Sequence, residues 1–196
     1  MSLALVTPPA TEPISVAEAK AWARVDQQLD DVVIAGLIAT VRQQFDGKEA
    51  WFARALLTQT WDYALDRFPG PPPPNTSYAI QVPLPPLQSV TSITYLDGTG
   101  APIVLAPTEY VVDTVSEPGR IVPAFGKIWP MTSGHLFNTV TVRFVAGYGD
   151  QPSDVPQAIR DWVKQGVAYL YDHREAADLP NAFFWAMAGY RGSWAV

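Results

Sequence analysis

The sequence contains no cysteine. Thiolate nucleophiles, cysteine-ligated zinc and iron–sulfur clusters are therefore excluded, no disulfide framework can hold the chain, and the usage suits a reducing compartment. Charge is scarce as well: Asp, Glu, Lys and Arg make up 16% of the 196 residues, against about 25% in an ordinary soluble domain. There are two histidines, His135 in an expected loop and His173 at an expected helix end. Neither has a second histidine or a carboxylate at metal-ligand spacing, so no metal is expected. No apolar run approaches the roughly 18 residues that cross a bilayer. The opening Met1-Ser2-Leu3-Ala4-Leu5-Val6 has no basic region and soon meets Thr7-Pro8-Pro9, which reads as neither a membrane span nor an export signal.

What remains is rich in apolar and ring side chains: 48% hydrophobic residues, with seven Trp, eight Tyr and eight Phe. That composition is the opposite of a disordered chain, and the length suits one domain or one domain with an appendage. A weakly charged surface implies that other chains cover part of it. The net charge of −6, with 13 Lys and Arg spread thinly, leaves no basic stripe and argues against tight phosphate binding. An acidic chain can still surround a duplex that has to slide.

Ser15-Val16-Ala17-Glu18 is a capping box, in which the Ser15 hydroxyl accepts from the Glu18 amide and the Glu18 carboxylate accepts from the Ser15 amide. The helix that it opens should run to about Arg24 or Val25. Asp30 and Asp31 stand where a second helix begins, and Ile34, Leu37, Ile38, Val41 and Phe45 follow at spacings of three and four. This helix is expected to continue past Gly47 towards Leu56. From Thr58 to Phe68 the residues alternate and are rich in β-formers, predicting a strand. Pro69-Gly70-Pro71-Pro72-Pro73-Pro74 then reads as an extended connector or a segment for a proline-binding groove. Further strands are expected at 80–82, 90–95, 102–105, 110–113, 120–123 and 139–145, with Asp97-Gly98-Thr99-Gly100 as a hairpin turn. Ser153-Asp154-Val155-Pro156 should open a third helix with Ile159, Trp162, Val163, Gly166, Val167 and Leu170 on one face. Gly166 in that stripe should let a neighbouring helix approach closely.

These elements predict an α+β fold: a helical core of about three helices, two N-terminal and one C-terminal, over 13–57 and 150–176. A small antiparallel β-unit over 58–149 is inserted between the second and third helices, and an extended C-terminal arm covers 177–196.

Candidate chemistry is thin. Asp26, Asp30 and Asp31 form one carboxylate cluster and Asp150 with Asp154 another, which could serve acid–base work or hold Mg²⁺, but both fall at helix starts, where caps are expected. Gly147-Tyr148-Gly149 lacks the Gly-Lys-Ser/Thr ending of a phosphate loop and reads as a tight turn. Asn75-Thr76-Ser77 matches a glycosylation sequon that has no export context. His173 reads as a charge partner for the end of the third helix. No catalytic residue, cofactor site or metal site is assigned. The segment 181–196 is different: it holds five aromatics and one charge, Arg191. It could fold back on its own domain, or leave it and use Phe183, Phe184, Trp185, Tyr190 and Trp194, with Arg191, as anchors on a partner. The second reading is preferred.

Taken in order, Ile14-Ser15-Val16-Ala17-Glu18-Ala19-Lys20, Arg24-Val25-Asp26 with Asp30-Asp31, and Leu56-Leu57-Thr58-Gln59-Thr60-Trp61 form a combined pattern with three later stretches. Those are Leu84-Pro85-Pro86-Leu87-Gln88-Ser89-Val90, Phe144-Val145-Ala146-Gly147-Tyr148-Gly149 and Val155-Pro156-Gln157-Ala158-Ile159. The pattern resembles the head–tail connector (adaptor) proteins of tailed phages, prophages and gene transfer agents, over about residues 13–176. The resemblance implies a non-enzymatic virion protein, assembled in the bacterial cytoplasm into the neck of a particle. It would form a ring, commonly dodecameric, beneath the portal protein and extend the DNA channel. Its partners would be the portal, neighbouring adaptor subunits and the next neck or tail protein (stopper), with DNA passing through without sequence-specific binding and no membrane involved. The alternatives are another neck component, a stopper or tail-terminator, or a metal-dependent hydrolase using Asp30, Asp31 or Asp150.

Overall fold

The computed structural model describes residues 2–70, 78–134, 136–176, 178–185 and 188–191. Along these residues the chain forms β1 (Ser2–Thr7), α1 (Val16–Ala23), α2 (Asp31–Phe45), β2 (Gln59–Leu65), β3 (Ile80–Val82) and β4 (Leu87–Leu96). There follow β5 (Pro102–Val104), β6 (Tyr110–Asp113), β7 (Gly119–Pro123), β8 (Val140–Ala146), α3 (Gln157–Asp172) and α4 (Asn181–Trp185). They divide into two compact units, Met1–Pro8 with Gln59–Gly147 and Pro9–Thr58 with Tyr148–Val196. No helix among the described residues is long and apolar enough to cross a membrane.

The first unit is built on the period of two that puts alternate strand residues on one face. Trp61 and Leu65 of β2 and Val140, Val142 and Phe144 of β8 are buried. Register sets Trp61 opposite Phe144 and Leu65 opposite Val140. On the other face Asp62 stands opposite Arg143, whose Nε and Nη2 donate to its two carboxylate oxygens at 2.8 Å each. β4 pairs on the far side of β8, and the Asp97 turn returns the chain into β5. In that turn the Asp97 carboxylate accepts from the Thr99 amide at 2.8 Å and hydroxyl at 2.6 Å and from the Ala101 amide at 3.0 Å. The finished antiparallel sheet runs β1-β2-β8-β4-β5, and a second sheet runs β3-β7-β6. Pro102 lies on the edge strand β5, where its missing N–H costs no central ladder bond. Gly119 of β7 allows close contact with β4: a Cβ there would fall 2.4 Å from Leu87 Cδ2. Two sheets, of five and three strands, make the β-unit larger than the small one expected. Part of the surplus is β1, which joins the sheet from the N-terminus but keeps five of its six side chains exposed, so its sequence shows no buried alternation.

In the helical unit the capping box forms as its spacing predicts, the Glu18 amide donating to the Ser15 hydroxyl at 3.1 Å and the Ser15 amide to the Glu18 carboxylate at 2.8 Å. Arg24, in the left-handed region at φ 56°, ends α1. Ile34, Ile38, Val41 and Phe45 of α2 pack with Ile159, Val163, Val167 and Leu170 of α3 in one buried cluster. Gly166 permits this approach, since a Cβ on it would lie 2.9 Å from Val41 and 3.1 Å from Leu179.

Three expectations about helices need correction. The second helix stops at Phe45 instead of continuing to Leu56. Asp46 is extended, accepting from the Leu56 amide at 3.0 Å and from Arg42 at 3.1 Å, and Gly47 takes φ +107°, a value suited to glycine and foreign to a helix. The loop that follows still buries Phe52, Leu56 and Leu57. Asp30 makes no cap bond: its backbone is already helical, and its carboxylate accepts from the Tyr171 hydroxyl at 2.8 Å. The third helix begins at Gln157, because Val155 precedes a proline and is forced to extended backbone, ψ 130°, by the clash with the Pro156 ring. Pro152–Asp154 forms a separate 3-10 turn before it, with the Gln151 amide donating to the Asp154 carboxylate at 2.9 Å.

Candidate partner-binding surfaces

The C-terminal segment, expected as an extended arm, is a short helix over 181–185 and a 3-10 turn over Ala188–Tyr190. Pro180 starts this local winding by accepting from the Phe183 amide at 2.9 Å, and the Leu179 amide donates to the Gln44 side chain at 3.3 Å. Successive helical residues point about 100° apart, so three consecutive rings cannot share one surface. Phe183 goes to α3, with its ring centroid 5.5 Å from Trp162 and 5.7 Å from Tyr169. Phe184 goes to α2 and the loop after it, 5.7 Å from Phe45 and 5.8 Å from Trp51. Trp185 is left 76% exposed.

Tyr190 and Arg191 are held by cationic contacts. The carbonyl of Tyr190 accepts from the Arg54 guanidinium, and the Arg191 guanidinium lies 5.5 Å over the Trp51 ring, a contact worth about 0.5–1 kcal/mol at an exposed site. Trp194 lies outside the described residues. Beside Trp185 an open groove of about 540 Å³ is lined by Gln44, Trp51, Leu179 and Phe184. Its walls also carry Glu49, Asp178 and Asn181, so the groove beside the exposed indole joins rings with carboxylates and amides, a mixture that suits a protein surface.

Of the candidate carboxylates, Asp30, Asp31 and Asp154 are engaged structurally. Asp31 pairs with Lys20 at 2.6 Å, Asp30 holds Tyr171, and that hydrogen bond pushes the Tyr171 hydroxyl above its ordinary pKa. Among the described residues no group of three or more His, Cys, Asp or Glu side chains could hold a metal ion. Gly147, at φ +131°, makes a turn, its amide donating to the Pro86 carbonyl at 2.9 Å and its own carbonyl accepting from Gln88. His173 caps α3 and stacks on Tyr169 at 4.2 Å. His135 lies outside the described residues.

Two further apolar surfaces stand outside the sequence-based expectation. One is the outer side of α2, signalled in the sequence only by Val32 and Val33 falling off the three-four stripe. The other is the loop of residues 124–138, whose side chains Phe125, Ile128, Met131 and Phe137 reach solvent.

The fold is therefore an α+β one: three main helices in one unit, antiparallel sheets of five and three strands in the other. No protein-family model and no curated protein matches the sequence. Among solved structures, the chain is similar to one in the neck of an empty gene transfer agent (GTA) particle computed with C6 symmetry. The TM-score is 0.75 and the identity 23%, covering 100% of this chain and 98% of that one. A chain of the virion of a native GTA particle matches at TM-score 0.73 and 22% identity, with the same coverage. One from the neck of a native GTA particle computed with C12 symmetry matches at 0.66 and 20%, again over 100% and 98%. At such identities the likeness establishes a common fold; a role has to be argued separately.

Proposed function

We propose that this chain is a structural protein of the neck of a phage-like particle such as a gene transfer agent, and specifically the adaptor. It forms a ring, dodecameric as the family resemblance implies, beneath the portal protein. There it extends the DNA channel and offers the next neck protein, the stopper, its platform. The observation that carries this reading is the likeness to GTA neck chains along essentially the whole length of both partners. The order of sequence stretches given above points the same way. The negative net charge suits a conduit along which DNA slides, and the role requires no catalysis or cofactor.

The C-terminal segment is proposed to contact the portal or an adjacent subunit through Trp185, Tyr190, Arg191 and Trp194, while Phe183 and Phe184 fasten it to its own unit. Trp185, already exposed, supplies the first anchor. Removing residues 181–196 should reduce retention on purified portal-containing heads; unchanged retention overturns this assignment.

The decisive experiment is a micrograph of particles from a strain lacking the gene. DNA-filled heads that leak or carry no tails, restored by the gene in trans, are the expected result, and normal tailed particles overturn the reading. The large β content favours keeping the stopper as a second reading. Direct binding to isolated portal supports the adaptor. Binding only to heads that already carry another neck protein supports the stopper.

A further inference from the structure

We propose that the ring contact is made by two particular surfaces: the outer face of α2 in one copy, and the 124–138 loop of the next. The proposal rests on the ring reading above and names its subunit interface.

α2 is apolar on the side that its own unit leaves bare. Leu29, in the turn before the helix, is 89% exposed, Val32 is 84% exposed and Val33 is half-exposed. The charged residues of the helix are used within the chain, Asp31 by Lys20 at 2.6 Å and Arg42 by Glu12 at 2.7 Å and Asp46 at 3.1 Å. From Val32 to Thr40 the outer positions carry no charge. Gly36 lies on this side, and a Cβ there would meet nothing within 4 Å. Glycine inside a helix costs about 1 kcal/mol relative to alanine. For Gly166 the chain itself supplies the reason, the Val41 and Leu179 side chains; for Gly36 the described residues supply none. A notch on an exposed, uncharged helix suits close approach by another molecule.

The loop is the projecting counterpart. Its base is fixed: the buried Trp129 stacks on Phe68 at 4.8 Å, and its Nε1 donates to the Tyr78 carbonyl at 2.8 Å. From this base Phe125 is fully exposed, Phe137 is 84% exposed, and Ile128 and Met131 project beside them. Lys127 is occupied by Glu109 at 3.2 Å. Covering the two phenylalanines alone would bury about 150–250 Å² each, a large part of the roughly 800 Å² per partner in a standard interface.

A second copy is the occupant because both surfaces are mainly apolar, the one loop cation being paired within the chain, one carries exposed rings while the other has a glycine among its valines, and every subunit carries both. A closed ring requires two different, mutually fitting faces on each subunit. A charged partner would leave its own ions desolvated against either surface.

The absence of cysteine allows a clean test. A chain carrying both Val33→Cys and Ile128→Cys, isolated in particles and treated with a short bis-maleimide, should run as a ladder of multimers on a denaturing gel. Each single variant should stay monomeric. Particles that contain the chain but give no ladder overturn the interface and leave the neck role standing, and so do single variants that form dimers. Absence of the native chain from particles overturns both. Gly36→Leu is the complementary variant: it should melt no lower than the native chain when isolated, yet drop at least tenfold in copies per particle. Native copy number in that variant overturns the proposal.

Discussion

α2 and α3 are neighbours of nearly equal length, 15 and 16 residues, packed on each other through the same core, yet their outward sides differ in kind. On α3 the outside is a web of polar side chains: Asp161 accepts from Gln157 at 2.7 Å and Lys164 at 3.2 Å, and Arg160 reaches the Glu18 carboxylate. On α2 the outside is Val32, Val33 and Gly36, with Leu29 of the preceding turn beside them. An amphipathic helix has an apolar stripe on the side that packs and a polar side in water; α3 obeys, and α2 has a second apolar side. Burial within one chain therefore accounts for all of α3 and for half of α2. The other half is the surface that the ring proposal gives to a neighbouring copy.

The contrast can be broken or sharpened by substitution, beginning on the side the two helices share. Phe45→Ala, on the buried side of α2, should cost about 3–5 kcal/mol in urea unfolding, because it removes a ring stacked 5.0 Å from Phe52 and 5.7 Å from Phe184. A cost below 1 kcal/mol would mean that the inner side of α2 is not core. Glycine substitutions should then have opposite signs on the two helices. Gly166→Val is expected to destabilise by about 1–3 kcal/mol through overpacking, whereas Gly36→Ala should stabilise the isolated chain by about 1 kcal/mol. Equal signs in thermal unfolding would erase the distinction.

At the α3 outer face, Glu18→Ala should cost about 1 kcal/mol at neutral pH through the lost cap, partial exposure keeping the ion-pair share small. The Ser15 amide holds the Glu18 carboxyl below its ordinary pKa against partial desolvation, helped by the Ser15 hydroxyl, Arg160 and Lys164. A lowered folded-state pKa contributes stability above the ordinary carboxylate range and loses it as pH falls through the folded value. The gap between native and variant should thus be full at pH 7 and close in acid; a gap independent of pH would contradict it. Smallest of all, Val32→Lys should change the stability of the isolated chain by less than about 0.5 kcal/mol while reducing its incorporation into particles.

Sequence reasoning reached what is written in local patterns. The Ser15–Glu18 box, the Asp97 turn, the alternation of β2 and β8 and the glycine in the α3 stripe each follow from spacing, and each is present in the fold; that β2 pairs with β8 and that Gly166 faces Val41 is seen only there. It overran where a residue's role depends on distant groups. The stripe ending at Phe45 carries on into Trp51 and Phe52, and only Asp46 turning to the Leu56 amide shows why the helix stops. Asp30 looked like a cap until Tyr171, 141 residues away, supplied it with a donor. β1 shows no alternation because its edge position exposes nearly every side chain. The aromatic segment stands out by composition, but whether its rings turn inwards or outwards depends on a helix of five residues, too short to leave a period. The outer face of α2 was legible only as surplus hydrophobicity.

The order of strands in the five-stranded sheet also governs how the protein must be made. Its central strand, β8, is the only one that joins β2 to β4, and it is synthesised after both. During translation β2 and β4 wait without their shared partner while 43 residues separate the end of β4 from the start of β8, and long-range pairing of this kind slows folding and leaves strand edges open. Pulse-labelled hydrogen exchange should find the amides of β2 and β4 becoming protected together with those of β8 and not before. A nascent chain cut off short of residue 140 would expose sticky edges, so supply of this subunit depends on finishing the chain quickly or on shielding it until Val140–Ala146 emerges.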